Sequence, residues 1–161
     1  ALHLAMQSLR NGDCEIALVG GANAMMTPHY PVVMSKGQFL SAHSRCKAFD
    51  ADAGGYVRAE GAGMVLLKPL AEALRDGDHI HAVIVETGIN QDGQTKGISL
   101  PNPDAQFRLL QQVYQRAGVP AEQLSYIEAH GTGTKAGDPL EVAALGRALA
   151  GRSLQQPCLI G

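Results

Sequence analysis

The chain has 161 residues and 16.9 kDa, a length that suits one ordinary domain with a core of its own. Its net charge of −2 offers no electrostatic hold on nucleic acid or an anionic membrane, and 4% aromatic residues without Trp leave no stacking platform for single-stranded bases. At 45% hydrophobic and 17% charged residues it reads as a globular protein, with no apolar run near the roughly 20 residues of a membrane helix. Residues 1–10 carry His3, Gln7 and Arg10 and do not read as a signal peptide. Leu2, Ala5, Met6 and Leu9 predict one face of a helix stopped at Gly12. Ile16 to Val19, ending at Gly20-Gly21, predicts a strand buried on both faces. Residues 22–62 read as irregular and glycine-rich, too long for a simple connection and therefore functional or supportive.

Cys14, Cys46 and Cys158 are odd in number and show no CxxC spacing. They exclude a disulfide framework or a zinc site and fit a reducing, cytoplasmic compartment. Arg45 and Lys47 flank Cys46, and such cations can lower a thiol pKa. Sequence neighbours need not be spatial ones, and packing beside Phe49 is the preferred reading. Asp50, Asp52 and Glu60 lack EF-hand spacing, and Glu60 is expected to anchor the loop 54–63 through backbone.

Gly63 to Lys68 predicts a second buried strand, and Pro69 a short helix closed by Gly77. His79 to Thr87 predicts a strand whose His79 and His81 share a solvent-facing side. Without a third ligand that pair holds no metal, and none is expected anywhere in the chain. Asn102 and Pro103 open a helix with Phe107, Leu110, Tyr114 and Ala117 as its stripe, and Gly118 and Pro120 close it. A strand at Ser125–Ala129, a helix at 138–150 and a strand at 158–160 complete the order. Strands alternating with helices from residue 63 onward predict an α/β fold with a largely parallel sheet.

The chemistry concentrates in Glu128-Ala129-His130-Gly131-Thr132-Gly133-Thr134, followed by Lys135-Ala136-Gly137-Asp138-Pro139-Leu140-Glu141. Asp138, Pro139 and Glu141 read as N-cap, first and third positions of the next helix. His130 then lies at the carboxyl end of a strand facing a helix amino terminus, where open α/β sheets bind ligands. An isolated histidine there is more often a core residue satisfied by backbone. The Thr132 and Thr134 hydroxyls can serve the amides of a ligand or cap the local turn, and both uses stay open. A mononucleotide site is weak, because Gly-Thr-Gly-Thr lacks the Walker lysine spacing.

The pattern Glu-Ala-His-Gly-Thr-Gly-Thr-x-x-Gly-Asp-Pro-x-Glu resembles the first-histidine motif of the β-ketoacyl synthases, in the form found in type I polyketide and animal-type fatty acid synthases. Residues 1–10, Cys14–Asn23, Arg45–Gly63, Asn90–Gly93 and Pro157–Gly161 resemble further blocks in the same order, covering essentially the whole chain. The resemblance implies a thiolase-like fold layered α-β-α-β-α, with residues 1–68 ending the N-terminal half and 69–161 starting the C-terminal half. It implies decarboxylative Claisen condensation of an acyl-cysteine with a malonyl-type extender. His130 would be one of two catalytic histidines, and Thr132 and Thr134 would hold the phosphopantetheine arm. It implies no directly bound cofactor, the phosphopantetheine being carried by an acyl carrier protein, and a homodimer in the complete domain.

In that family the cysteine nucleophile precedes a segment like Ala1–Ala5, and the second histidine follows one like Leu159–Gly161. The resemblance therefore reads residues 1–161 as an internal stretch with one of three catalytic residues, inactive alone. The family's cysteine at the Cys46 position is not the nucleophile. Asn90-Gln91-Asp92-Gly93 leans toward the polyketide form, whereas Asn102-Pro103-Asp104 departs from the glycine usual there. The alternatives are a fatty acid synthase domain and a non-condensing homologue acting in carrier docking or chain-length control.

Overall fold

The computed structural model describes residues 1–97, 99–153, 155 and 157–161. The chain divides into two compact units, one of residues 1–25 and 59–89, the other of residues 26–58 and 90–161. The single core suggested by length is thus not what forms.

In the first unit, α1 (Leu2–Asn11) packs on β1 (Ala17–Asn23), which pairs antiparallel with β2 (Gly61–Leu67), Ala17 opposite Leu67 and Asn23 opposite Gly61. The parallel sheet expected from residue 63 onward does not extend to this pair, because β1 precedes that stretch and returns to β2 through a long segment containing a helix, with no right-handed crossover between parallel strands. Glu60 anchors backbone as expected, but at the end of β1: its Oε1 accepts from Met25 N–H at 2.5 Å. Neither strand is buried on both faces. Leu18, Met64 and Leu66 are 64%, 66% and 65% exposed, although α1 packs on β1.

α3 (Leu70–Asp76) follows Pro69 and closes at Gly77, as predicted. The strand expected at His79–Thr87 does not form. The chain bends at His81, and side chains of α1 bond its later part: Arg10 Nη2 donates to Val85 O at 3.0 Å, and His3 Nδ1 lies 2.8 Å from Thr87 Oγ1. The His79 and His81 rings meet edge to face, centroids 4.6 Å apart. No group of three potential metal ligands occurs among the described residues.

In the second unit, the segment read as irregular contains α2 (His29–Lys36). Helix α4 (Pro103–Ala117) starts as predicted: Asn102 Oδ1 accepts from the N–H groups of Asp104 and Ala105, and Gly118 ends it in the left-handed region. α4 packs on α5 (Gly137–Ala148), and these two helices carry Ala105 and Ala144, 0% and 1% exposed. Arg147 spans the pair, bonding Asp104 at 2.5 Å and lying 4.2 Å over the Phe107 ring. β3 (Tyr126–Ile127) and β4 (Leu159–Ile160) run parallel, and their ladder extends to Ala129 N–H on Gly161 O at 2.9 Å. No described helix is long and apolar enough to cross a membrane.

Candidate active site

Beyond Ala129 the chain leaves the ladder, and the next donors find side chains. His130 N–H and Gly131 N–H donate to Glu141 Oε1 and Oε2 at 2.7 and 2.9 Å, so one carboxylate holds two successive peptide groups. Gly131 and Gly133 take φ of +50° and +69°. Each needs glycine twice over, since a Cβ would strain the backbone and also meet Ala48 Cβ at 3.1 Å or Gly55 O at 3.1 Å. The His130 side chain leaves this turn exposed, with no hydrogen-bond partner for its ring among the described residues. Within the described part of these 161 residues the ring is neither buried nor bonded to backbone.

Asp138 and Glu141 are not the capping pair the sequence suggests. The cap falls two residues earlier, at Ala136 with no side-chain cap, and Asp138 sits inside the first turn. It is 6% exposed, and its carboxylate accepts from Gly133 N–H (3.0 Å, Oδ1) and Phe49 N–H (2.7 Å, Oδ2). Both carboxylates lie near a helix amino terminus, where the aligned peptide dipoles favour negative charge. Their bonds go to the loops in front of the helix.

Thr132 and Thr134 come together on the same turn as His130. Their Oγ1 atoms are 2.9 Å apart; Thr134 Oγ1 accepts from Gly137 N–H at 3.0 Å, and Thr132 Oγ1 donates to Asp138 Oδ1 at 3.4 Å. Both hydroxyls make the local turn bonds foreseen for them. Both residues are half-buried, and a hydroxyl oxygen has two acceptor lone pairs.

Sequence reasoning missed the segment 46–55, which cradles the turn. Gly55 N–H donates to Gly133 O at 2.8 Å, and Cys46 Sγ lies 3.4 Å from both Gly131 O and Thr132 O. Cys46 thus bonds turn carbonyls instead of merely packing beside Phe49. No local signal marks these ties, because each joins residues distant in sequence.

The strand-turn-helix around His130 is that of the thiolase-like condensing enzymes. Over the whole chain the structure superposes on a ketosynthase domain of the oxazolomycin synthase of Streptomyces albus JA3453 with a TM-score of 0.94 at 46% identity, covering 28% of that chain. It superposes over 99% of its length on the module 6 ketosynthase of the bacillaene synthase of Bacillus subtilis 168, TM-score 0.92 at 42% identity, covering 29% of that chain. Residues 1–73 match the β-ketoacyl synthase N-terminal domain and residues 81–161 its C-terminal domain. The chain belongs to the β-ketoacyl synthase family. It is 53% identical over 149 residues to a partially reducing polyketide synthase of Menisporopsis theobromae, and 49% identical over 160 residues to a highly reducing polyketide synthase of a Cryptosporiopsis species. It spans 6% and 7% of those two proteins, with 92% and 99% of its own residues matched.

Proposed function

We propose that this segment supplies one catalytic histidine to a polyketide ketosynthase that joins an acyl chain to a malonyl-type extender carried on an acyl carrier protein. The observation that supports this reading most is the His130 turn itself. Its main chain is held by Glu141 at two donors, while its imidazole is left exposed beyond the end of β3.

In such a reaction the acyl group first moves to a cysteine thiolate, which splits the condensation into two steps. Loss of carbon dioxide from the malonyl thioester then places negative charge on the thioester oxygen. A neutral imidazole N–H already fixed in place stabilises that charge without reorganising. Thr132 and Thr134 would receive the phosphopantetheine amides, the arm arriving on the carrier protein and not as a bound cofactor. The nucleophile and second histidine would come from the remainder of a homodimeric, cytoplasmic synthase domain, and residues 1–161 alone would be inactive.

The test is His130→Ala in a complete ketosynthase domain containing this segment. Removing one such donor costs about 10²–10³ in rate. Malonyl decarboxylation and condensation should fall by that factor, while acylation of the nucleophilic cysteine and the melting temperature stay near wild type. Undiminished decarboxylation would remove His130 from the chemistry.

A further inference from the structure

We infer that Phe49 is a positioning residue for the His130 turn, its ring and main chain together fixing the seat of Gly131 and thereby the direction of the imidazole; this rests on the donor role proposed for His130. Phe49 adopts φ of +60°, a left-handed conformation that is strained for a bulky side chain. Strain of this kind persists only where surrounding bonds over-determine it, and it concentrates at working sites. Here the over-determining bond is Phe49 N–H to Oδ2 of the buried Asp138 at 2.7 Å, while Oδ1 of the same carboxylate holds Gly133 N–H at 3.0 Å.

The turned backbone also aims the ring. Its Cε2 and Cζ lie 3.7 and 3.9 Å from where a Cβ on Gly131 would stand, beside Ala48 Cβ at 3.1 Å. The Ala48–Phe49 pair therefore fills the space a side chain on Gly131 would need, and His130 is the residue just before it. Glu141 holds the His130 and Gly131 amides, and Phe49, itself tied to Asp138, bounds the space beside Gly131. Together these contacts define the position of the peptide between His130 and Gly131.

The experiment compares Phe49→Gly, Phe49→Leu and Phe49→Tyr with His130→Ala in the complete ketosynthase domain. It reads cysteine acylation, malonyl decarboxylation, melting temperature and the His130 ring proton and carbon resonances. Glycine relieves the strain but removes the ring; leucine keeps apolar bulk; tyrosine keeps both ring and backbone demand. A misplacement near 1 Å can cost about a hundredfold in rate. The expected result for Phe49→Gly is therefore a fall of up to about a hundredfold in the ratio of decarboxylation to acylation, with a moved His130 resonance. Phe49→Tyr should restore the ratio to within about threefold, a margin well inside that effect.

An unchanged ratio and unmoved resonance in Phe49→Gly would overturn the inference. Should that variant fail to fold, Phe49→Leu decides on the same two readouts. His130→Ala with undiminished decarboxylation would instead sink the donor role, and the His130 resonance would still report whether Phe49 positions the ring.

Discussion

A carboxylate buried at the front of a helix is usually explained by the helix. Asp138 is explained by what faces it: two N–H groups, from the half-buried Phe49 and the buried Gly133, each held by one of its oxygens. Asparagine has the same shape but only one acceptor oxygen, so Asp138→Asn must turn an NH₂ group toward one of those donors. Hydrogen bonds to a charged group contribute about 1.5–3 kcal/mol, and a buried donor left unpaired costs a similar amount. Asp138→Asn should therefore lower stability by about 1.5–3 kcal/mol in urea titrations of the complete domain. Glu141→Gln should cost less, because His130 is exposed and water can replace its lost acceptor. Equal or reversed losses would contradict the burial assigned to Asp138. The motif was legible as a strand, a glycine-rich turn and a helix start, but the partners of its acids were not. Capping grammar reads only neighbours three or four apart, and Phe49 is supplied by a distant loop.

Among the elements, helix ends were the most legible parts of the fold. Gly12, Gly77 and Gly118 each end a helix in the left-handed region, and Asn102 caps α4 as its sequence demands. These are local devices, decided within one turn of chain. The apolar run His79–Thr87 defeated the same reasoning because a strand exists only with a partner, and its composition says nothing about which element lies beside it. Packing between α4 and α5 shows how a contact across elements can be tested by pH. Arg147, bonding Asp104 and attracting it, holds that carboxyl below its ordinary value of 3.8. A depressed carboxyl contributes stability above its unfolded pKa and loses it as pH falls through the folded value. Asp104→Asn should therefore melt below wild type at neutral pH, with a gap that stays constant down to about pH 5 and closes below the carboxylate range. Both groups are partly exposed, so the gap should be small and shrink in salt. A gap that persisted unchanged in strong acid would show that Asp104 acts through shape and not through charge.

Taken whole, the molecule leaves much apolar surface in water. Its accessible area is 11520 Å². Two separate compact bodies of the sizes of its two units would expose only roughly 9,000 Å² by the scaling of folded monomers. The excess therefore does not depend on how the units are placed. It lies in particular places: Met64 and Leu66 on one side of β2, Val65 on the other, and Leu18 on β1, all more than half exposed. An exposed apolar ribbon with unpaired edges is a template for further strands or for another copy of itself. The 161-residue chain alone should consequently associate at micromolar concentration and bind a hydrophobic dye, with a broad melt in place of a cooperative one. Met64 and Leu66 share a face because alternate strand residues do, so Met64→Lys with Leu66→Lys should suppress association while leaving the antiparallel pairing of β1 and β2 intact. Sedimentation velocity on both chains decides it. A wild-type monomer with a sharp melt would mean that the ribbon is stable bare, and an equally associated double variant would place the sticking surface elsewhere.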